Sequence, residues 1–67
     1  MKIGDSIYTP RFCTVKVKDM FDTQAAAYAA GYYEPTYYDN PDYEIQGKHT
    51  GLNRMVFAAV RKGGKLG

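Results

Sequence analysis

The run Met55-Val56-Phe57-Ala58-Ala59-Val60 constrains the fold most. It is the longest unbroken apolar stretch in the chain, preceded by Arg54 and closed by Arg61-Lys62. Its length suits a strand and is too short for a helix that persists alone. Successive strand residues point to opposite faces, and here both faces are apolar. Such a strand lies centrally in its sheet or is covered on both sides. The remaining residues must provide that cover.

There are few of them. A chain of 67 residues is one domain near the lower size limit. It buries roughly 60% of its unfolded surface, and its core rarely supplies more than about 3–5 kcal/mol. The single Cys13 excludes an internal disulfide. Cys13 and His49 are too few to hold a structural zinc, which takes about four ligands. Self-association as a homodimer is therefore one expected source of stability. No metal or cofactor is expected. Gly63-Gly64 lies beyond the last strand with no helix after it, so no phosphate-cradling loop is present.

Met1-Lys2-Ile3-Gly4-Asp5 lacks the apolar core of a secretory signal. No run approaches membrane-spanning length. With one cysteine, these features predict a cytoplasmic protein that makes no membrane contact.

Taken in order, Ile3 to Tyr8 reads as a first strand, stopped by Pro10, which cannot donate a ladder hydrogen bond. Phe12 to Met20 alternates clearly. Cys13, Val15 and Val17 share the inward face, and Thr14, Lys16 and Lys18 the outward one. Such a one-sided strand is expected to be antiparallel, and the short link Thr9-Pro10-Arg11 makes it a hairpin or bent ribbon with the first strand. Asp22 or Thr23 caps a helix over 24–30. Gly31 ends it in the left-handed conformation. Ala25, Tyr28, Ala29 and Tyr32 have the spacing of its docked face. Tyr43 to Gly47 and the apolar run then form a second hairpin around turn residues 49–53.

The sequence thus predicts an α+β domain over 1–62, with a small four-stranded antiparallel sheet and one short helix, in the order ββαββ. The alternative is a bent, SH3-like β-barrel with an inserted helix, suggested by Gly4-Asp5-Ser6-Ile7-Tyr8. Residues 63–67 read as a disordered tail.

Between helix and second hairpin lies the unusual segment, residues 32–43. It holds five of the seven tyrosines. Pro35 and Pro41 favour extended or turn geometry before them. Exposed aromatic area is unfavourable in water, so the segment reads as an ordered loop.

Charge is segregated although its sum is only +2. Residues 32–46 carry Glu34, Asp39, Asp42 and Glu44 and no base, whereas 47–67 carry Lys48, Arg54, Arg61, Lys62 and Lys65 and no acid. The plainest account is that these blocks face each other or sit in water. The acids do not have calcium-loop spacing. Cys13 reads as a small buried apolar residue, not a nucleophile, and His49 as a solvated loop residue. No convergent acid, base and nucleophile marks an enzyme.

Two binding readings remain. Tyrosine is enriched at protein interfaces, where it offers large amphipathic area at small entropic cost. Tyr33, Tyr37 and Tyr38 beside Glu34 and Asp39 then form a surface for a basic protein partner. The plainer account is that these rings close a small core. Alternatively, Lys16, Lys18, Arg54 and Arg61 form a basic strand face that tracks nucleic-acid phosphates. Strand lysines also serve simply to prevent edge pairing.

The runs Ile3-Gly4-Asp5-Ser6-Ile7-Tyr8-Thr9-Pro10-Arg11-Phe12 and Gly51-Leu52-Asn53-Arg54-Met55-Val56-Phe57-Ala58-Ala59-Val60-Arg61-Lys62 resemble short uncharacterised proteins of bacterial conjugative and integrative mobile elements. The resemblance implies a cytoplasmic accessory protein. It implies no activity and no role for any residue. The leading expectation is a non-enzymatic protein-binding domain, with nucleic-acid binding as the alternative.

Overall fold

The structure is a computed structural model, and it describes residues 1–62. The expected disordered tail, 63–67, lies outside the described residues. The chain runs through β1 (Ser6–Thr9), β2 (Cys13–Phe21), α1 (Gln24–Ala29), β3 (Glu34–Pro35), β4 (Tyr43–Gly51) and β5 (Arg54–Arg61). All the strands join one sheet in the order β1-β2-β5-β4-β3.

Both expected hairpins are present, β1 against β2 and β4 against β5. Their junction differs from expectation. β2 and β5 pair in parallel, so the sheet is mixed, and β3 makes it five-stranded instead of four-stranded antiparallel. The reason lies in β5. A strand apolar on both faces lies inside its sheet, and here β4 takes one edge of β5 and β2 the other. After α1 runs back across the sheet, the segment through β3 returns the chain, so β4 runs antiparallel to β2 and β5 parallel to it. Pro35 is tolerated in β3 because β3 is an edge strand.

β5 divides the core as its alternation requires. Phe57 and Ala59 join Val15, Val17 and Ile45 on one face. Ala58 and Val60 join Ala27 and Tyr32 on the other, beneath the helix. Lys18 is the extra residue of a bulge, since Val17 pairs with Phe57 and Asp19 already with Ala58. Val15 and Val17 are buried, and Lys16 and Lys18 are exposed, as the alternation predicted.

Helix α1 is capped at both ends by local chemistry. Thr23 Oγ1 accepts from Ala26 N at 3.1 Å. Gly31 has φ 96°, and the N–H groups of Gly31 and Tyr32 donate to the Tyr28 and Ala27 carbonyls at 3.0 and 2.9 Å. These bonds form a Schellman turn. The docked face, however, is Ala27, Ala30 and Tyr32, while Ala25, Tyr28 and Ala29 are exposed. Tyr32 reaches the sheet because the left-handed Gly31 folds it under the helix, not because it continues the helical stripe.

Cys13 also departs from expectation. It is exposed and has φ 60°. Thr9 Oγ1 accepts from Phe12 N at 3.2 Å and donates to Cys13 O at 3.0 Å, which fixes the turn. The left-handed residue breaks the alternation, and Phe12 packs against the core in its place. Its ring lies 5.3 Å from that of Phe57.

The sheet curls into a half-barrel, the bent form that the alternative expectation contained. Arg11, in the turn after β1, reaches the opposite edge. Its N–H donates to Thr36 O at 3.4 Å, and its Nη1 donates to Pro35 O at 3.2 Å. Among the described residues, no helix is long and apolar enough to cross a membrane.

Candidate functional site

The chain leaves α1 through Gly31 and enters the tyrosine segment, which is ordered as expected. Its rings have two fates. Tyr32 is buried, and its hydroxyl donates to Asp19 Oδ2 at 2.8 Å. Burial first, then this hydrogen bond and the carboxylate charge, push its phenol up to about 12. Tyr38 and Tyr43 are half-buried against the core. By contrast, Tyr33 and Tyr37 are 65% and 68% exposed.

Polar contacts fix the path between them. Thr36 is buried, and its hydroxyl donates to Ile45 O. Asn40 Oδ1 accepts from the backbone of Asp42 at 2.8 Å and of Tyr43 at 3.1 Å. Lys62 Nζ donates to Asn40 O at 2.8 Å, tying the segment to the end of β5. Tyr37 itself has φ 61°. A bulky residue with positive φ is uncommon and strained, and an exposed ring recovers little of that cost by packing.

Exposed Tyr33 and Tyr37 stand over a cleft of about 320 Å³ between α1 and β4. Gln24 and Tyr28, one helical turn apart, form the helix wall. Glu44 and Gln46, alternate residues on one face of β4, form the sheet wall. Gln24 Nε2 donates to the Tyr28 hydroxyl at 2.8 Å. Gln46 Nε2 donates to Glu44 Oε1 at 3.0 Å. Gln46 Oε1 is buried and has no hydrogen-bond partner among the described residues. Among the described residues, no lysine or arginine lines the cleft.

The structure therefore sorts the expected partner residues. Tyr33, Tyr37 and Tyr38 line one cleft. Asp39 is exposed on the same segment but outside the lining. Glu34 points elsewhere. Its Oε2 lies 2.8 Å from Arg11 Nη1 and its Oε1 3.7 Å from His49 Nε2. The lining also includes residues that the sequence did not single out for binding, Tyr28, Glu44 and Gln46 among them. Helical spacing predicts Tyr28 on the docked face, and in the sequence Glu44 reads only as part of an acidic block. Gln46 carried no signal beyond its place in an alternating strand.

The basic residues divide as well. Lys16 and Lys18 line a second, more open cleft of about 510 Å³ with Phe12, Asn53 and Val56. Arg54 opens β5 at that end. Arg61 closes β5 at the other end, opposite Tyr43, with odd-numbered Phe57 and Ala59 on its face. The four cations thus do not form one continuous face. Among the described residues there is no group of three or more side chains of metal-ligating type.

The chain matches no family model and shows no significant match to a curated protein or a solved structure.

Proposed function

We propose that this protein is a non-enzymatic binding domain that docks a protein partner over the cleft between α1 and β4. One observation carries the reading: Tyr28, Tyr33 and Tyr37 are all at least half exposed and all border one cleft. Three neighbouring exposed rings in so small a domain form an amphipathic patch suited to a protein interface. The backbone of Tyr37 is held in an unfavourable conformation while its ring stays in solvent, which core closure does not explain. Glu44 in the wall and Asp39 beside it favour a basic partner.

The test is affinity capture from bacterial extract with three baits: wild type, Tyr33→Ala with Tyr37→Ala, and Lys16→Glu with Lys18→Glu. A specific protein retained by the first and third baits but lost by the second supports the reading. Equal retention by the tyrosine variant overturns it.

The nucleic-acid reading keeps one specific support, the position of Lys16 and Lys18 together on the second cleft. It predicts generic DNA or RNA binding that falls steeply with salt. The Lys16→Glu, Lys18→Glu variant abolishes such binding, and the tyrosine variant leaves it intact.

A further inference from the structure

We infer that the cleft between α1 and β4 receives an arginine side chain of the partner. The inference rests on the reading of this cleft as the docking site and specifies what it recognises.

The cleft wall offers acceptors. Glu44 Oε1 is engaged by Gln46 Nε2, and no ion pair involving Glu44 is present among the described residues. Beside it, Gln46 is only 5% exposed, and its Oε1 is buried and unpartnered, so it accepts from a ligand once the side chain turns toward the cleft. A buried carbonyl-type oxygen without a donor is unfavourable and seeks one. A carboxylate next to an unsatisfied amide oxygen therefore favours a ligand that is cationic and carries several donors. The guanidinium has five N–H groups in a rigid plane and no acceptor. An anion or an acceptor-rich ligand meets repulsion from both groups.

The remaining walls suit the same shape. Tyr28, Tyr33 and Tyr37 bring aromatic rings around the opening. Guanidinium planes stack on such rings and are attracted by their electron-rich faces. Within this protein, Lys48 Nζ already lies 5.5 Å from the centre of the Tyr32 ring and Arg11 Cζ 5.1 Å from that of Phe12. A cleft of about 320 Å³ is of the size of small-ligand sites. The guanidinium is preferred to an ammonium because its plane satisfies separated acceptors while it stacks.

The experiment is an NMR titration of the isotope-labelled protein with N-acetyl-arginine amide, and with N-acetyl-citrulline amide as its neutral, similarly shaped control. The arginine probe should saturably shift the Gln46 side-chain amide and the Tyr33 and Tyr37 backbone amides. The citrulline probe should bind about tenfold more weakly or worse. Glu44→Gln, which keeps side-chain shape, should weaken the arginine probe by a similar factor while the rest of its spectrum stays that of wild type. Equal binding of both probes, shifts centred on Lys16 and Lys18, or an unchanged response in Glu44→Gln overturns the inference. If Glu44→Gln retains a captured partner that the Tyr33→Ala, Tyr37→Ala variant loses, protein docking stands and arginine recognition falls. If the arginine probe binds as described but no partner depends on the tyrosines, the cleft stands and the docking reading falls.

Discussion

Arg11 Nη1 lies 2.8 Å from Glu34 Oε2 and joins the turn after β1 to the strand at the far edge of the sheet. This pair removes Glu34 from the candidate surface and gives it a structural task. The same guanidinium donates to Pro35 O, so one side chain holds the charge and the backbone of a two-residue strand. Both partners are partly exposed, at 41% and 24% of their side chains, which limits the energy through solvent screening. Arg11→Ala should lower stability by about 1 kcal/mol. In hydrogen exchange, the amides paired between β3 and β4 should lose protection while those between β4 and β5 keep theirs. Undiminished β3 protection would show that Thr36, through its bond to Ile45 O and the one it accepts from the Arg11 backbone N–H, holds this edge without the guanidinium.

Gly47 permits close packing across the hairpin. A Cβ at this position would lie 2.6 Å from Met55 Cε and 3.0 Å from Phe57 Cε2. Methionine can move; the Phe57 ring is buried and wedged against Phe12. Gly47→Ala should therefore destabilise the protein by about 1–3 kcal/mol, measured by urea denaturation. In a domain of a size whose core rarely supplies more than about 3–5 kcal/mol, that is a large fraction. An effect within error would mean that the core repacks around the methyl group.

Much of this framework was legible locally. The apolar run specified a strand buried on both faces, and Phe57, Ala58, Ala59 and Val60 are all buried. Asp22 or Thr23 at one end and Gly31 at the other marked the helix through side-chain and backbone preferences that need no tertiary context, and the cap is Thr23. What escaped was non-local or depended on a single dihedral. The parallel β2/β5 pairing joins segments far apart in sequence, and the antiparallel neighbour that the alternation of β2 favours is β1, on its other edge. Cys13 and Tyr37 adopt positive φ, where neither residue type predicts it, and each redirects a side chain. The cleft was half visible. Tyr33, Tyr37 and Tyr38 stood out by composition, but Tyr28, Glu44 and Gln46 meet them only because the helix crosses the sheet there.

Tyr32 provides a pH-dependent test of the helix–sheet contact. Burial first, then the hydrogen bond to Asp19, raise its phenol from 10.0 to about 12. An unfolded chain therefore loses this proton before the folded one. Between those values the unfolded state binds fewer protons, so stability falls as pH rises; below the lower value the contribution is fully present. Wild type should lose stability across this alkaline window more steeply than Tyr32→Phe, which has no proton to lose. Paired denaturation series at increasing pH check the difference. Parallel slopes would mean that the Tyr32 hydroxyl ionises as readily in the folded protein as in the unfolded chain.

Tyr37 allows stability and binding to be separated at one position. Its φ of 61° lies in the left-handed region, which costs an ordinary residue about 1–2 kcal/mol. Asparagine occupies that region more readily, because its short side chain bonds locally to the backbone. The 68% exposed ring contributes little packing that would be lost. Tyr37→Asn should therefore raise the melting temperature slightly, by the equivalent of about 0.5 kcal/mol. The same variant should retain partner and arginine probe less well, since an aromatic wall of the cleft is gone. Gained stability with lost binding is the pattern expected where strain is kept for function. A fall in stability would show instead that the Tyr37 ring packs, and would return this residue to the core.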